Sequence, residues 1–200
     1  MDAVRFVLGW KALGHERRLG ACIVNYADDF VICCRGSADQ ALAVMRNMMS
    51  RLKLTVNEAK THVCRMPQDT FDFLGYTFGR LYSPRTGGAY LGAKPSNKRV
   101  VRVCGEVSRL TGHRTSGLHV SQVVGSLNRT LDGWANYFCL GTVSRAYRAV
   151  EQHACRRLRR WLAHKHKVHA GMKTLFTGQY LHQKLGLVDL GTRKGRPLVC

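Results

Sequence analysis

Hydrophobic residues recur along this chain with two different periods, and the period changes near Lys94. Before that residue, short apolar runs separated by polar residues are typical of strands. The runs at 21–24 and 30–33 enclose an acidic tetrapeptide, and they predict a hairpin of two buried strands over residues 20–34. After Lys94 the apolar positions recur every three or four residues, which predicts amphipathic helices.

Further elements of the first half can be predicted from the same pattern. Residues 2–14 carry a helical pattern that ends near Gly14, and Ser37 is a suitable N-cap for a helix from about Ala38 to Leu54. The inner face of that second helix is predicted to contain Ala41, Leu42, Met45, Met48, Met49 and Leu52. Strands are predicted over Thr61–Met66, Thr70–Leu81 and Ala89–Gly92, with a turn at Ser83–Gly88.

The second half is predicted to contain two long amphipathic helices joined near Gly141. They run from Val120 to Phe138 and from Val143 to Trp161. Together the two halves define an α+β fold class, in which a small antiparallel sheet with a helix precedes an α-helical domain. The predicted domains are residues 1–93, residues 94–165 and a basic extension over 166–200, with the tail after Gly186 loosely held.

Net charge indicates the kind of partner. The chain has 32 Lys and Arg against 12 Asp and Glu, a formal charge of +20, which repels itself unless a polyanion is bound. Residues 91–200 contain 20 of these basic residues and four of the acidic ones, so nucleic acid is expected on the second half. No apolar run has the length of a bilayer span and no signal peptide precedes the first strand. We therefore expect no membrane partner and a cytoplasmic, nucleoid- or RNA-associated location.

The second long helix has an almost purely basic side, on which Glu151 is the only acid. A solvated helix face is the ordinary reading of a charge run, but solvated faces mix both signs, so this excess favours phosphate contacts. Aromatic residues with helical spacing are interleaved with these basic residues, and the spacing favours core packing over stacking on bases. They are Trp134, Tyr137, Tyr147 and Trp161. The residues expected to bind RNA are Arg145, Arg148, Arg156, Arg159, Arg160, Lys165 and Lys167.

The acidic tetrapeptide is Tyr26-Ala27-Asp28-Asp29. Two adjacent carboxylates repel each other and are costly to desolvate, so such a pair either binds divalent cations or occupies a solvated turn. A plain acidic turn is the alternative, because Asp is common in turns. The apolar runs on both sides favour the metal site.

Tyr-Ala-Asp-Asp between two apolar strands resembles the catalytic motif of reverse transcriptases, in the variant of group II intron-encoded proteins. Three later segments are similar to that family in order and spacing. They are Leu54 to Thr61, Phe71 to Phe78, and Gly133-Trp134-Ala135-Asn136-Tyr137-Phe138, the last being similar to the core of the thumb or maturase domain. The resemblance covers most of the chain.

The resemblance implies roles for individual residues. Asp28 and Asp29 would be catalytic and would bind Mg²⁺, with Asp28 the principal ligand and Asp29 the supporting acid. Intron RNA and an RNA/DNA primer-template would be the partners. The residues implied to lie along the primer-template are Tyr26, Ala27, Lys60, Leu74, Gly75 and Tyr76.

The family places a further metal-binding Asp on an earlier palm strand, and the fingers earlier still, so we expect this chain to be incomplete on its own. One function is then a C-terminal segment of an RNA-directed DNA polymerase, completed by an N-terminal reverse-transcriptase fragment or a full-length paralogue. The alternatives are a non-catalytic RNA-binding maturase or splicing-factor fragment, and a gene remnant.

The eight cysteines and nine histidines invite a zinc hypothesis. His153-Ala154-Cys155 and His164-Lys165-His166 are the closest approaches, but neither belongs to a set of four ligands at a familiar spacing. No cysteine pair has C-x-x-C spacing, and a disulfide framework is not expected in a chain without an export signal. We therefore expect small core residues rather than a metal site.

Overall fold

The computed structural model describes residues 2–83 and 85–193, so Pro84 of the predicted turn and Cys200 lie outside the described residues. The chain divides into two compact units, the first ending at Leu74 and the second beginning at Gly75. Both units mix helices with antiparallel strand pairs, which confirms the α+β prediction. The functional boundary near residue 93 stays a prediction.

The first unit packs its helices against one hairpin. Its elements are α1 (Asp2–Ala12), α2 (His15–Leu19), β1 (Ala21–Tyr26), β2 (Asp29–Cys34), α3 (Ala38–Arg51), a 3₁₀ turn (Glu58–Lys60) and β3 (Phe71–Phe73). Phe6 and Trp10 of α1 are fully buried, and the Trp10 indole N–H donates to the carbonyl of Ala21 at 3.1 Å. This hydrogen bond joins α1 to the first residue of the hairpin.

The hairpin buries only one of its faces, so the prediction of two buried strands is wrong. Ala21 and Ile23 are buried, whereas Cys22 and Val24 between them are exposed. Helices cover one side of the strand pair, and successive side chains of a strand point to opposite sides. The expectation of core cysteines therefore fails for Cys22, and also for Cys33 opposite it in the register.

Helix α3 begins where the sequence predicts and ends earlier. The Ser37 hydroxyl accepts a hydrogen bond from the Gln40 amide at 3.3 Å, which caps the helix. The helix ends at Arg51 because Lys53 adopts a left-handed φ of 56°. Leu52 is consequently 39% exposed, so its predicted place on the inner face is wrong.

The strand predicted over Thr61–Met66 is absent from the described residues, because this segment has no ladder partner and runs into a turn. In that turn the Arg65 amide donates to the Asp69 carboxylate at 2.8 Å. The predicted strand Thr70–Leu81 is interrupted at Leu74 and Gly75, whose φ angles are 51° and 81°. A β-strand does not accommodate left-handed residues, so the chain turns there.

The second unit begins with a strand pair and continues as helices. Its elements are β4 (Tyr76–Tyr82), β5 (Ala89–Pro95), α4 (Asn97–Leu110), a 3₁₀ turn (His113–Thr115), α5 (Val120–Tyr137), α6 (Ser144–Lys165), α7 (Met172–Leu175) and a π-helical turn (Tyr180–Lys184). β4 and β5 are antiparallel, with Tyr76 opposite Pro95. The predicted strand Ala89–Gly92 is therefore longer than expected. The two long helices agree with their predicted spans to within a few residues.

A single apolar core holds α4, α5 and α6 together. Leu127 and Leu131 of α5 and Val150 and Leu158 of α6 are at most 1% exposed. His119 and Gln122 form a reciprocal capping box at the start of α5. Each helix thus packs one apolar stripe against the core, as its period of three and four residues predicts.

The turn between α5 and α6 is fastened to β5. The Thr142 amide donates to the Ala93 carbonyl at 2.8 Å. Gly141 precedes this contact with a φ of 71°, and a β-carbon there would lie 2.3 Å from the Ala93 oxygen. Only glycine fits both the conformation and the close approach.

The described tail residues 187–193 are held by the core, so the prediction of a loose tail is wrong for them. Leu187 and Leu190 are 3% and 0% exposed. Asn128 of α5 donates to the Gly186 carbonyl at 2.7 Å and accepts from the Val188 amide at 2.9 Å. Residues 187–193 are therefore part of the helical core.

Candidate active site and nucleic-acid interface

The acidic tetrapeptide forms the tip of the hairpin. Tyr26 pairs with Asp29 at the end of the ladder, so Ala27 and Asp28 are the two residues of the connecting loop. Ala27 has a left-handed φ of 50°, which a tight two-residue connection between twisted strands favours. Both carboxylates are exposed. The base of the hairpin is anchored, because Ile23 is buried and its amide donates to Glu16 at 3.3 Å.

This arrangement supplies carboxylate oxygens from one short segment. Such oxygens are suitable ligands for Mg²⁺, which keeps several waters or substrate phosphates in its remaining positions. In the described parts of the chain, no third His, Cys, Asp or Glu side chain lies close enough to form a ligand set with Asp28 and Asp29. The pair can therefore hold one side of a cation, and a complete site needs further oxygen ligands.

The residues predicted to line a primer-template have different surroundings. Tyr26 is 65% exposed beside the acidic pair, and Lys60 is exposed on the 3₁₀ turn of the same unit. Leu74 lies at the end of the first unit. Gly75 begins the second unit, where a β-carbon would lie 3.0 Å from the Arg99 guanidinium nitrogen.

Tyr76 belongs to the packing of the second unit. Its side chain is 7% exposed, and its hydroxyl donates to the Tyr137 carbonyl at 2.8 Å and accepts from the Leu140 amide at 3.3 Å. Burial raises the pKa of the Tyr76 phenol. These hydrogen bonds join the start of β4 to the end of α5.

Helix α6 presents the predicted basic face, which consists of four exposed arginines. None of them forms an ion pair with the described residues. Successive members are separated by three, eight and four residues, which places them on one side of a helix. The members of the basic face are Arg145, Arg148, Arg156 and Arg160.

Two other predicted RNA-binding residues have internal partners. Arg159 donates to the Phe176 carbonyl at 2.7 Å. The Lys165 ammonium donates to the carbonyls of Ser116 and Leu118, and it lies 5.4 Å from the centre of the Trp161 ring. Both side chains fasten neighbouring segments to α6. Lys167 is exposed just beyond the helix.

The aromatic residues divide into core and surface. Tyr147 and Trp161 are 2% and 3% exposed, as the core prediction requires. Trp134 is half-buried against Phe138 and Tyr147. Tyr137 is 57% exposed, so the core prediction is wrong for its ring.

No RNA contact was predicted for the start of α4, where a basic helical segment follows Lys94-Pro95-Ser96. Lys98, Arg99 and Arg102 are all exposed there. Their helix packs beside α6, since the Ser108 hydroxyl and His153 Nε2 are 2.9 Å apart. The run Lys98-Arg99 followed by Arg102 was an available signal, and it adds positive charge to the same unit.

Comparison with known families finds two matches along the chain. Residues 6–78 match the family described as "Reverse transcriptase (RNA-dependent DNA polymerase)". Residues 100–176 match "Group II intron, maturase-specific domain". Together the matches span about three quarters of the chain. The chain belongs to the group II intron reverse transcriptase/maturase family, as its sequence resemblance predicts.

A search of the curated proteins finds no match. Among the described residues, no helix is both long enough and apolar enough to cross a bilayer.

Proposed function

We propose that this protein binds intron RNA through its second unit and contributes Asp28 and Asp29 to Mg²⁺-dependent cDNA synthesis. The observation that carries the catalytic half is the placement of two exposed carboxylates at the tip of an anchored hairpin. A plain acidic turn without a catalytic role would form the same hairpin. The match of residues 6–78 to reverse transcriptases favours the catalytic reading.

Asp28 and Asp29 would hold Mg²⁺ through their carboxylate oxygens. Bound Mg²⁺ would activate the primer 3′-hydroxyl and neutralise charge on the phosphates. The chain's own residues then position the reactants. Tyr26 and Ala27 lie at the same tip, Lys60 offers a cation to the primer-template, and Leu74 and Gly75 contribute a left-handed turn. The Tyr76 ring is buried within the second unit, where its hydroxyl joins β4 to the end of α5.

We infer that catalysis uses a further carboxylate from outside the described residues, because these provide no third ligand beside the acidic pair. An N-terminal reverse-transcriptase fragment or a full-length paralogue would supply it. The exposed outer face of β1, including Cys22 and Val24, leaves one side of this hairpin open within its unit.

The catalytic proposal is tested by primer extension on an RNA template with Mg²⁺ and deoxynucleotides. We expect the chain alone to be inactive, and activity to appear when a fragment carrying the fingers and the first palm Asp is added. Asp28→Asn should abolish this activity, since the amide keeps the shape but loses the charge. Asp29→Asn should reduce it less, and Asp39→Asn, an exposed acid at the start of α3, should leave it unchanged.

Two outcomes would change this proposal. Strong extension by the chain alone would refute the need for a partner. Failure of every complementation, with RNA binding intact, would favour the second candidate, a non-catalytic maturase fragment. That candidate is favoured by the exposed basic face of α6 and by the maturase match over residues 100–176.

RNA binding is tested by reversing charges on the basic face. Arg156→Glu combined with Arg160→Glu should weaken binding to structured intron RNA and reduce its salt dependence, because fewer counterions are released from phosphates. A charge-matched control in the first unit is Arg17→Glu with Arg51→Glu, two exposed helical arginines. Equal loss in both double variants would show that net charge alone matters, and would refute a specific face.

A further inference from the structure

Three potential metal ligands meet between α6 and the π-helical turn, outside both sites described above. Glu151 and Cys155 are one helical turn apart on α6, and His182 lies in the π-helical turn. One ligand atom of each lies within 4.8 Å of the other two. Cys155 is 7% exposed, and the other two side chains are about one-fifth exposed. No other group of three such side chains exists in the described parts of the chain.

The separations agree with tetrahedral coordination. The Cys155 sulfur is 3.7 Å from His182 Nε2, and Nε2 is 3.5 Å from Glu151 Oε1. Zinc bonds of about 2.3 Å to sulfur and about 2.0–2.1 Å to nitrogen or oxygen place tetrahedral ligand atoms roughly 3.3–3.6 Å apart. Two of the three separations therefore lie within a few tenths of an ångström of those around a tetrahedral cation, and the third, between the Cys155 sulfur and the Glu151 carboxylate, is no longer than 4.8 Å.

The orientation of the His182 ring is also suitable for a ligand. Its Nδ1 lies 2.9 Å from the Leu187 carbonyl, which can only accept a hydrogen bond, so Nδ1 carries the proton. The lone pair of the neutral ring is then on Nε2, the nitrogen that faces Cys155 and Glu151. Metal-binding histidines commonly donate their other ring N–H to a backbone carbonyl in this way.

The charges around the site are mixed, because the Asp189 carboxylate neighbours Glu151 and the Arg159 guanidinium acts on Cys155. The Asp189 carboxylate lies close to that of Glu151, since a β-carbon at Gly191 would be 3.1 Å from Asp189 Oδ1 and 3.2 Å from Glu151 Oε2. Burial, and then the neighbouring Asp189 charge, raises the pKa of Glu151. Burial raises the pKa of the Cys155 thiol to about 11, and a bound metal would deprotonate it.

We propose that Glu151, Cys155 and His182 bind one zinc-type divalent cation, with a fourth position open to water. The soft thiolate and the imidazole select zinc over Mg²⁺. The ion would fasten the segment from Tyr180 to Gly191 onto α6. This site shares no residue with the acidic hairpin or with the basic face.

Cobalt(II) is the probe for this site, because a cobalt–thiolate bond absorbs in the near ultraviolet and tetrahedral cobalt has strong visible bands. Titration of the full chain, reduced and freed of metal, should show both signals saturating at one equivalent, and zinc should displace the cobalt. Cys155→Ser should remove the thiolate band, and His182→Gln should weaken cobalt binding at least tenfold. Cys104→Ser, a half-buried cysteine of α4, is the matched control and should keep both signals.

Folding of each variant is checked by circular dichroism. His182→Gln keeps the test decisive if Cys155→Ser does not fold, because His182 lies nearer the surface. Zinc should also raise the unfolding temperature of the parent chain and of Cys104→Ser, but not of His182→Gln. Absence of a thiolate band in the parent, or its persistence in His182→Gln with unchanged affinity, would overturn the proposal and leave a simple His182–Glu151 ion pair.

Discussion

Two neighbouring arginines of α6 have different roles. Arg157 makes hydrogen bonds within the protein, whereas Arg156 faces solvent. Arg157 donates from Nε to the Thr111 hydroxyl at 3.1 Å, and from one terminal nitrogen to the carbonyls of Ser108 and Thr111 at 3.0 and 3.1 Å. These carbonyls belong to the end of α4, where the helix leaves its last acceptors without partners. Arg156, the residue before Arg157 on the same helical turn, is exposed.

Replacing Arg157 by Met keeps the aliphatic stem and removes all three hydrogen bonds. Hydrogen bonds from a charged donor contribute about 1.5–3 kcal/mol each when buried. The Arg157 side chain is half-buried, so water can replace part of this loss, and we expect destabilisation of about 2–3 kcal/mol. For a folded unit of this size, that corresponds to a fall of roughly 8–12 °C in unfolding temperature.

The matched control is Arg156→Met, which removes the same charge from the exposed face. Its unfolding temperature should change little, whereas the slope of log affinity against log salt for intron RNA should fall by about 0.7–0.9 for one lost phosphate contact. Arg157→Met should leave that slope unchanged at a temperature where it is folded. Equal unfolding temperatures in the two variants, or equal changes of slope, would refute this division of tasks.

Three other predictions concern packing and pH. Gly141→Ala should destabilise the second unit, because a left-handed alanine alone costs about 1–3 kcal/mol and its β-carbon also collides with a β5 carbonyl. Gly133→Ala, on an open helix face, should not destabilise it in the same thermal scan. Trp134→Ala should cost about 3 kcal/mol in urea unfolding, the lower end for a tryptophan, because the ring is half-buried; a cost below about 1 kcal/mol would contradict its packing role. Burial, and then the Arg18 guanidinium, lowers the pKa of His15 from 6.5, so the folded state prefers neutral imidazole. Stability should be full above pH 6.5 and fall as pH drops toward the folded-state pKa, and His15→Gln should flatten this dependence in urea titrations.

Local sequence signals correctly predicted those elements whose start or buried face depends on nearby residues. Ser37 fixed the start of α3 through its cap, and the three-and-four spacing around Leu127 and Leu158 predicted the two long helices, because one face of each is buried. The strand predicted over Thr61–Met66 failed because strand propensity does not show whether a pairing partner exists. Only tertiary structure supplies that partner.

The same limit applies to the candidate sites. The position of Asp28 and Asp29 at a hairpin tip was predictable, because the apolar runs flank them directly. A charge pattern could not distinguish Arg159, whose guanidinium is hydrogen-bonded internally, from exposed Arg160. The side chain of His182 meets Cys155 across 27 residues of sequence, a separation at which no ligand spacing is recognisable.

The buried tail affects how truncated forms of this protein should be interpreted. A chain that stopped at Gly186 would keep every arginine of the basic face, yet it would lose Leu187 and Leu190 from the core and the Val188 amide that Asn128 binds. Loss of RNA binding in such a chain is therefore assigned to a missing contact only if its unfolding temperature is unchanged. Deletions from this end therefore measure the stability of the helical unit before they map its RNA contacts.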